Sequence, residues 1–134
     1  MPVAPLICYD AVTPRFALDA VRGGAQLIVT LSNDSWFAVG LGPRLHLVVS
    51  AFRSIETRRP QVRATTTGVS AIITASGELA AVADVHERAA LVGAVTPAAR
   101  ATTLMLAWGD WLGPTALVLG VALLALRLAG RLGA

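Results

Sequence analysis

The apolar and polar positions of this chain predict alternating strands and helices. An apolar stretch at residues 3–8 predicts a strand, and residues 14–22 predict a helix that two glycines close. Residues 26–31, rich in leucine, isoleucine and valine, predict a buried strand. After Pro60 the residues favour β structure again. The further predicted strands are residues 62–66, 69–74, 79–82 and 89–95, with a hairpin turn at Ser76-Gly77.

The helix predicted at residues 43–57 has the pattern of an amphipathic helix. Its apolar residues recur at the i, i+3, i+4 and i+7 spacing, so we expect them to form one buried face. Polar residues, among them Arg44, Ser50, Arg53 and Thr57, occupy much of the rest of the helix. The predicted buried face consists of Leu45, Val48, Val49, Phe52 and Ile55.

The last apolar segment of the chain predicts a membrane-spanning helix. Residues 111–126 carry no charge and span about 24 Å as a helix, somewhat short of a bilayer core. Arg127 and Arg131 would snorkel and extend the apolar length, while Trp108 and Trp111 suit the opposite interface. The alternative is a helix buried in a protein core. Because flanking positive charge stays in the cytoplasm, the spanning interpretation places the C-terminus inside and residues 1–105 outside.

Composition supports a membrane segment and narrows the candidate functions. Hydrophobic residues make up 55% of the 134 residues and charged residues 14%, which is apolar for a soluble protein. The net charge is only +3, and Glu56 and Pro60 interrupt the arginines at positions 53, 58, 59 and 63. That pattern favours ion pairing over nucleic-acid binding. One cysteine and two separated histidines lack the spacing of zinc ligands, so we expect no metal and no cofactor.

The only cysteine of the chain is the strongest candidate for chemistry. Cys8 ends an apolar run and is followed by Tyr9 and Asp10, and Thr13-Pro14 then supplies a helix start. A strand that ends in a nucleophile and turns into a helix exposes the sulfur at the sheet edge, near backbone N–H groups that favour a thiolate. The alternative is that Cys8 is a small buried hydrophobic residue.

Several blocks of the sequence resemble a known family. Ile7-Cys8-Tyr9-Asp10 resembles the cysteine motif of the carbon–nitrogen hydrolase (nitrilase) superfamily, which soluble amidases and nitrilases share. Later blocks resemble one branch of it, the apolipoprotein N-acyltransferases, in register from Ile7 to about Gly77. These blocks are Ser32-Asn33-Asp34-Ser35-Trp36-Phe37, Gly42-Pro43 with His46, Phe52-Arg53-Ser54-Ile55-Glu56, and Arg59-Pro60-Gln61-Val62-Arg63-Ala64-Thr65-Thr66-Thr67-Gly68.

The resemblance implies an acyl transfer. A cysteine thiolate would take an acyl chain from a phospholipid as a thioester and pass it to the amino group of a lipid-modified N-terminal cysteine on a lipoprotein. Cys8 would be the nucleophile, and the backbone N–H of Tyr9 would donate to the oxyanion. Asp10 stands where the family has a glutamate, which is one methylene longer. The alternative role for Asp10 is a carboxylate at the helix entry.

Two loop residues are candidates for substrate binding. Asn33 and Trp36 follow a predicted strand, where α/β proteins commonly build their sites. Trp36 would line an acyl or lipid entrance, and the alternative is an aromatic side chain that only packs. Thr66 replaces an asparagine that is common in the family's block.

The resemblance also implies a fold and an incomplete catalytic set. It implies the second part of a nitrilase-type α-β-β-α sandwich at residues 1–105, then an interfacial segment and one transmembrane helix at residues 106–134. The family's glutamate base, its lysine and its N-terminal membrane helices lie upstream of the cysteine. Only seven residues precede Cys8, and all eleven basic residues of the chain are arginine. We therefore expect a C-terminal fragment that is inactive alone, exposes apolar sheet surface and needs the missing N-terminal half or another chain.

Three functions stay open on the sequence alone. The first is the C-terminal part of the acyltransferase, in the bacterial inner membrane with its hydrolase-like domain on the periplasmic face. Its partners would be a phospholipid acyl donor and a lipoprotein acceptor. The second is a fragment of a soluble carbon–nitrogen hydrolase acting on amides, which the tryptophan-flanked apolar segment disfavours. The third is a non-catalytic membrane-anchored binding module, which the absence of lysine favours.

Overall fold

The computed structural model describes residues 1–37, 40–97 and 101–132, with side chains up to residue 130. The chain alternates between strands and helices, and seven predicted elements lie within one residue of their predicted bounds. In chain order the elements are β1 (Val3–Ile7), a 3₁₀ turn (Cys8–Val12), α1 (Pro14–Arg22), β2 (Leu27–Ser32), α2 (Gly42–Thr57), β3 (Gln61–Thr65), β4 (Ser70–Ile73), β5 (Leu79–Ala83), α3 (Leu104–Trp108) and α4 (Leu112–Leu132).

The strands form one five-stranded sheet in the order β1-β2-β3-β4-β5. The first three strands are parallel, and the last two pairs are antiparallel. Helices α1 and α2 connect the parallel strands, as parallel pairing requires. Leu6, Thr30 and Arg63 are register partners, so they form one row across the sheet. The carboxyl ends of β1, β2 and β3 therefore meet at one edge, where a site is expected.

Helix α1 covers the β1 side of the sheet with apolar residues. Its buried residues are Ala17, Leu18 and Val21. Ala17 and Val21 pack in one cluster with residues of β1 and β2, among them Leu6 and Ile28. The helix begins at Pro14, directly after Thr13, as the sequence predicts. This half of the molecule has an ordinary apolar core.

Helix α2 packs with the opposite face from the one predicted. Of the predicted buried residues, four are exposed to solvent and Val49 is half-buried. The prediction was wrong because the strands beneath α2 carry polar side chains: the Gln61 amide donates to Ser50 Oγ at 2.5 Å and to Thr30 Oγ1 at 2.7 Å. Buried polar groups must be paired, so the polar face of α2 turns inward. The exposed apolar residues are Leu45, Val48, Phe52 and Ile55.

On the other face of the sheet, apolar residues of β1 and β2 are exposed. Val3, Ile7 and Leu31 point away from the helices and are 48%, 56% and 50% exposed. This agrees with the expectation that half of a sandwich leaves apolar sheet surface open.

Residues 89–95, predicted as a strand, have no regular structure. At Gly93 an added Cβ would meet the Ile72 side chain of β4, so this stretch crosses the sheet face instead of pairing at its edge.

The C-terminal part begins with α3, which is fixed to the helices of the sheet. The Arg22 guanidinium donates to the carbonyl of Leu106 at 2.9 Å, and Thr103 Oγ1 donates to the carbonyl of Glu56 at 2.5 Å. After α3 comes the long helix α4, of which residues Leu112–Gly130 are long and apolar enough to cross a membrane. None of that span is buried, which argues against a core helix. The side chain of Arg131, one of the predicted flanking arginines, lies outside the described residues.

Candidate active site

Cys8 lies at the sharp turn between β1 and the 3₁₀ turn. Its φ angle is +52°, in the left-handed region that non-glycine residues rarely adopt. The Asp10 carboxylate accepts a hydrogen bond from the Ile7 N–H at 2.9 Å, which closes the turn around Cys8. The thiol is half-buried and free. Backbone strain of this kind is characteristic of functional sites, and here it places a cysteine at the carboxyl edge of the sheet.

The structure brings Tyr9 and Trp36 together beside this turn. Their ring centroids lie 6.1 Å apart, and Trp36 stacks on Phe37 at 4.0 Å. Tyr9 and Trp36 are 60% and 58% exposed, so both rings face solvent. A cleft of about 200 Å³ lies between the rings and the start of α2, lined also by Leu45 and Val49. It is open and largely apolar in its lining.

The other two predicted site residues make local contacts. The side-chain oxygen of Asn33 accepts from the backbone N–H of Ser35 at 3.1 Å, which shapes the loop that carries Trp36. Asp10 has one carboxylate oxygen committed to the Ile7 N–H. Both contacts are structural, and both residues lie in the segments that form the rim of the site.

Beneath this rim lies a buried polar cluster that sequence reasoning did not assemble. Asp34 accepts hydrogen bonds from Ser32 Oγ at 2.6 Å and from Arg63 Nη2 at 2.9 Å, and its Oδ1 lies 2.9 Å from His46 Nδ1. The side chains of Asp34, His46 and Arg63 are at most 2% exposed. We refer to these three residues as the Asp34 cluster. The sequence favoured ion pairing for Arg63, and it pairs with Asp34.

Backbone space around the Asp34 cluster is tight. A Cβ added at Gly68 would collide with the carboxylate of Asp34. The loop after β3 therefore approaches the carboxylate so closely that a glycine is required. Gly68 belongs to the block that resembles the acyltransferase branch, and the structure shows what that glycine does.

Burial changes the pKa values of three charged residues in and near the site. It lowers the pKa of Arg63, while the charge of Asp34, its hydrogen bond and the Cys8 thiolate oppose that shift. A second pair, Arg53 and Glu56, lies 2.9 Å apart at the far end of α2. Burial lowers the pKa of Arg53 and raises the pKa of Glu56.

Among the described residues, no group of three His, Cys, Asp or Glu side chains is arranged to hold a metal ion.

Comparison with known proteins identifies the family. The carbon–nitrogen hydrolase family model matches residues 2–103. The chain therefore belongs to the carbon–nitrogen hydrolases. A carbon–nitrogen hydrolase from Helicobacter pylori superposes with a TM-score of 0.56 at 17% identity, over 64% of this chain and 37% of that one. The match confirms the nitrilase-type fold that the sequence predicts.

Curated relatives point to one branch of that family. The apolipoprotein N-acyltransferase of Pseudomonas putida is 39% identical over 95% of this chain, which spans 25% of that protein. The apolipoprotein N-acyltransferase of Methylococcus capsulatus is 42% identical over 82% of this chain and 21% of its own length. The chain thus spans about a quarter of the length of the curated relatives it matches.

Proposed function

We propose that this chain is the nucleophile-bearing C-terminal part of an apolipoprotein N-acyltransferase. In this proposal the Cys8 thiolate attacks the ester carbonyl of a phospholipid, the lysophospholipid leaves, and a thioester remains on the sulfur. The α-amino group of a lipoprotein then attacks the thioester and releases Cys8. The names of the curated relatives support the substrates, and the fold supports the cysteine chemistry.

The single observation that carries the proposal is the conformation of Cys8. A residue in left-handed geometry at the end of a parallel strand places its side chain above the sheet edge, where an ester can approach. The N–H of Tyr9 follows directly and is the proposed donor to the tetrahedral oxyanion. A buried structural cysteine would need neither the strained turn nor the carboxyl-edge position.

The apolar cleft that is lined by Tyr9, the residue after Cys8, supports a lipid substrate. Tyr9, Trp36 and Phe37 are its aromatic lining residues, and Leu45 of α2 also lines it. This lining suits an acyl chain and offers little to a small polar amide. We assign Trp36 to the acyl entrance and Asn33 to the loop that holds it.

Helix α4 supports a place at the membrane. It would anchor the chain in the bacterial inner membrane, with Arg127 toward the cytoplasm and the hydrolase-like residues 1–105 on the periplasmic face. A fusion of residues 100–134 to a soluble reporter should stay in the membrane fraction after carbonate extraction. Recovery of the fusion in the soluble fraction would contradict the anchor.

The chain alone is proposed to lack transfer activity, because its sequence holds no lysine. In addition, the carboxylate of Asp10 already accepts a hydrogen bond from the Ile7 N–H. The proposed complement is the N-terminal three quarters of a relative. Turnover of a phospholipid donor by the purified 134-residue chain would contradict this part of the proposal.

The test is a chimera that joins this chain to the N-terminal part of the Pseudomonas putida relative. We expect a hydroxylamine-sensitive acyl adduct on Cys8 and transfer to a lipoprotein peptide. Cys8→Ser should abolish the thioester, whereas Ser35→Ala, a matched change in the neighbouring loop, should not. Asp10→Glu should maintain or improve transfer, because it restores the family's longer carboxylate. An active chimera that transfers the acyl chain equally well with Cys8→Ser would overturn the assignment of the nucleophile.

A further inference from the structure

The apolar cleft lined by Tyr9 and Trp36 has a histidine at its inner end. Among the described residues that line the cleft, His46 is the only buried one. It is 3% exposed, whereas Tyr9, Trp36 and Leu45 are 58% to 60% exposed. The centroid of the His46 ring lies 6.4 Å from that of Tyr9 and 5.8 Å from that of Phe37. The exposed lining residues therefore form the mouth of the cleft, and His46 lies behind them.

The two nitrogens of the His46 ring have different surroundings. Nδ1 faces the Asp34 cluster, since it lies 2.9 Å from Asp34 Oδ1 and 3.2 Å from Arg63 Nη2. Nε2 is buried and has no hydrogen-bond partner among the described residues. A buried polar atom without a partner is costly, so Nε2 calls for an explanation.

The Asp34 cluster decides which nitrogen of His46 carries the proton. An unprotonated Nδ1 would direct its lone pair at a carboxylate oxygen of Asp34, and two acceptors at this distance repel each other. Nδ1 is therefore the protonated nitrogen and donates to Asp34. A second proton, on Nε2, would leave the one carboxylate of the cluster to balance two buried cations, His46 and Arg63. Nε2 is thus an unprotonated acceptor.

A lone pair at the inner end of an apolar cleft specifies a class of ligand. An apolar chain suits the lining residues, and a hydrogen-bond donor on that chain would pair with Nε2. An ester offers only acceptor oxygens and would leave Nε2 unpaired. We propose that the cleft binds an apolar chain joined to an N–H group, and that His46 Nε2 accepts the hydrogen bond from this N–H.

The identity of the natural ligand rests on the proposed function. In that reaction the acceptor brings an α-amino group, and the product joins an acyl chain directly to an amide N–H. The phospholipid ester has no donor at this position. His46 is then a specificity-determining residue that favours the acceptor and the product over the donor lipid. Because Nε2 is covered in the free protein, we expect the exposed ring of Tyr9 to turn aside when the ligand enters.

The test uses two probes that share one apolar chain. N-methylhexanamide has an amide N–H, and N,N-dimethylhexanamide has a methyl group in its place. Binding to the full chain in detergent is followed by the fluorescence of Trp36, after Trp108→Phe and Trp111→Phe have removed the other two tryptophans. We expect the N–H probe to bind about three- to tenfold more tightly. Equal affinities for the two probes would overturn the proposal.

His46→Asn removes Nε2 and keeps a side-chain amide that can donate to Asp34. It should abolish the preference for the N–H probe. His86→Asn is the matched control, because His86 is exposed and has a φ angle of +65°, which asparagine tolerates. This control should keep the full preference. A preference that survives His46→Asn would show that another group receives the N–H.

Nitrogen-15 NMR observes the same contact without replacing His46, and it decides the question if His46→Asn does not fold. The sequence has two histidines, so the spectrum of His86→Asn assigns the ring signals of His46. We expect a proton on Nδ1 and none on Nε2 in the free protein, and a shift of the Nε2 signal with N-methylhexanamide alone. A proton on Nε2 in the free protein would refute the proposal.

The chimera separates this inference from the proposed function. A chimera that prefers the N–H probe but transfers no acyl chain would refute the proposed function alone. A chimera that transfers acyl chains and binds the two probes equally well would refute the role of His46 alone.

Discussion

Helices α1 and α2 lie on the same face of one sheet but bury opposite kinds of residues. Helix α1 buries Ala17, Leu18 and Val21, whereas α2 buries histidine, serine, arginine and threonine side chains and exposes Leu45 and Phe52. The difference follows from the strands beneath. Under α1 lie apolar residues of β1 and β2, and under α2 lie the polar residues of β2 and β3.

The comparison assigns different tasks to the two sides of the sheet. The α1 side is an apolar core, and its contribution to stability comes from area removed from water. The α2 side is a network of paired polar groups that holds the loops after β2 and β3 in place. Such a network adds little net stability but is costly to break. We interpret α1 as the support of the fold and α2 as the support of the site.

The largest effect should come from breaking the network under α2. Asp34→Ala leaves the guanidinium of Arg63 buried without its carboxylate, and we expect a loss of about 3–5 kcal/mol in the free energy of unfolding. Thermal unfolding followed by circular dichroism in detergent measures it. The control is Asp19→Ala on α1, whose carboxylate is 54% exposed and pairs with Arg15 and Arg22, for which we expect at most about 1 kcal/mol. Equal losses for the two variants would contradict the distinction between the helices.

The same substitution on each helix sharpens the comparison. Leu18→Ala on α1 removes a side chain that is only 3% exposed and should cost about 2–5 kcal/mol. Leu45→Ala on α2 removes one that is 59% exposed and should change stability by about 0.5 kcal/mol or less. Both variants are compared by urea unfolding under one set of conditions. A large loss for Leu45→Ala would mean that the apolar face of α2 is covered in solution.

A smaller effect is expected where the chain packs against the Asp34 cluster. Gly68→Ala introduces a Cβ that collides with the Asp34 carboxylate and should cost about 1–3 kcal/mol. Gly113→Ala, in α4, meets no atom within 4 Å and serves as the control for adding a methyl group. Unfolding midpoints of the two variants report the difference. Unchanged stability of Gly68→Ala would show that the loop after β3 can move away from Asp34.

The smallest effect concerns pH at the far end of α2. Burial raises the pKa of Glu56; Arg53 opposes this shift and Asp110 adds to it. Because the folded protein holds this proton more tightly, the contribution of Glu56 to stability is complete below its ordinary pKa and is lost as the pH rises through the folded value. The melting temperature of Glu56→Gln, relative to that of wild type, should therefore rise as the pH is increased from about 4 to about 7.

Glu78→Gln is the control for this pH series, because it removes a carboxylate that is exposed at a hairpin. A constant difference between Glu56→Gln and wild type across the series would show that Glu56 is not held in its protonated form by the fold.

The sequence predicted the elements well because their signals are local. Proline at the first position of α1, the glycines after it and the apolar run of β2 each act within a few residues. The prediction of a strand at residues 89–95 was wrong, because apolar composition does not distinguish a strand that pairs at the edge of a sheet from a segment that packs on its face.

The buried face of α2 and the Asp34 cluster needed information from distant residues. The amphipathic pattern of α2 assumes an apolar surface beneath it, and Gln61 and Arg63 supply a polar one. The cluster joins residues separated by 12, 17 and 29 positions in the chain, and no local pattern specifies such contacts. The position of Cys8 after a strand is a local signal, which the structure confirms, and its role as the nucleophile stays a prediction.

The connection between α3 and α4 limits how far the sheet can move away from the apolar helix. Helix α3 ends at Trp108 and α4 begins at Leu112, so three residues join a segment pinned by Arg22 to the apolar helix. Three extended residues reach about 10 Å at most. If α4 crosses a bilayer as proposed, the amino edge of the sheet, where α1 and α2 end, would be tethered within a short distance of the lipid surface, and the sheet would sample a thin layer instead of the whole compartment. Under the proposed function, a substrate embedded in that surface would then meet Cys8 at a higher local concentration than a dissolved one, with the length of the strands setting the distance between the tethered edge and the site.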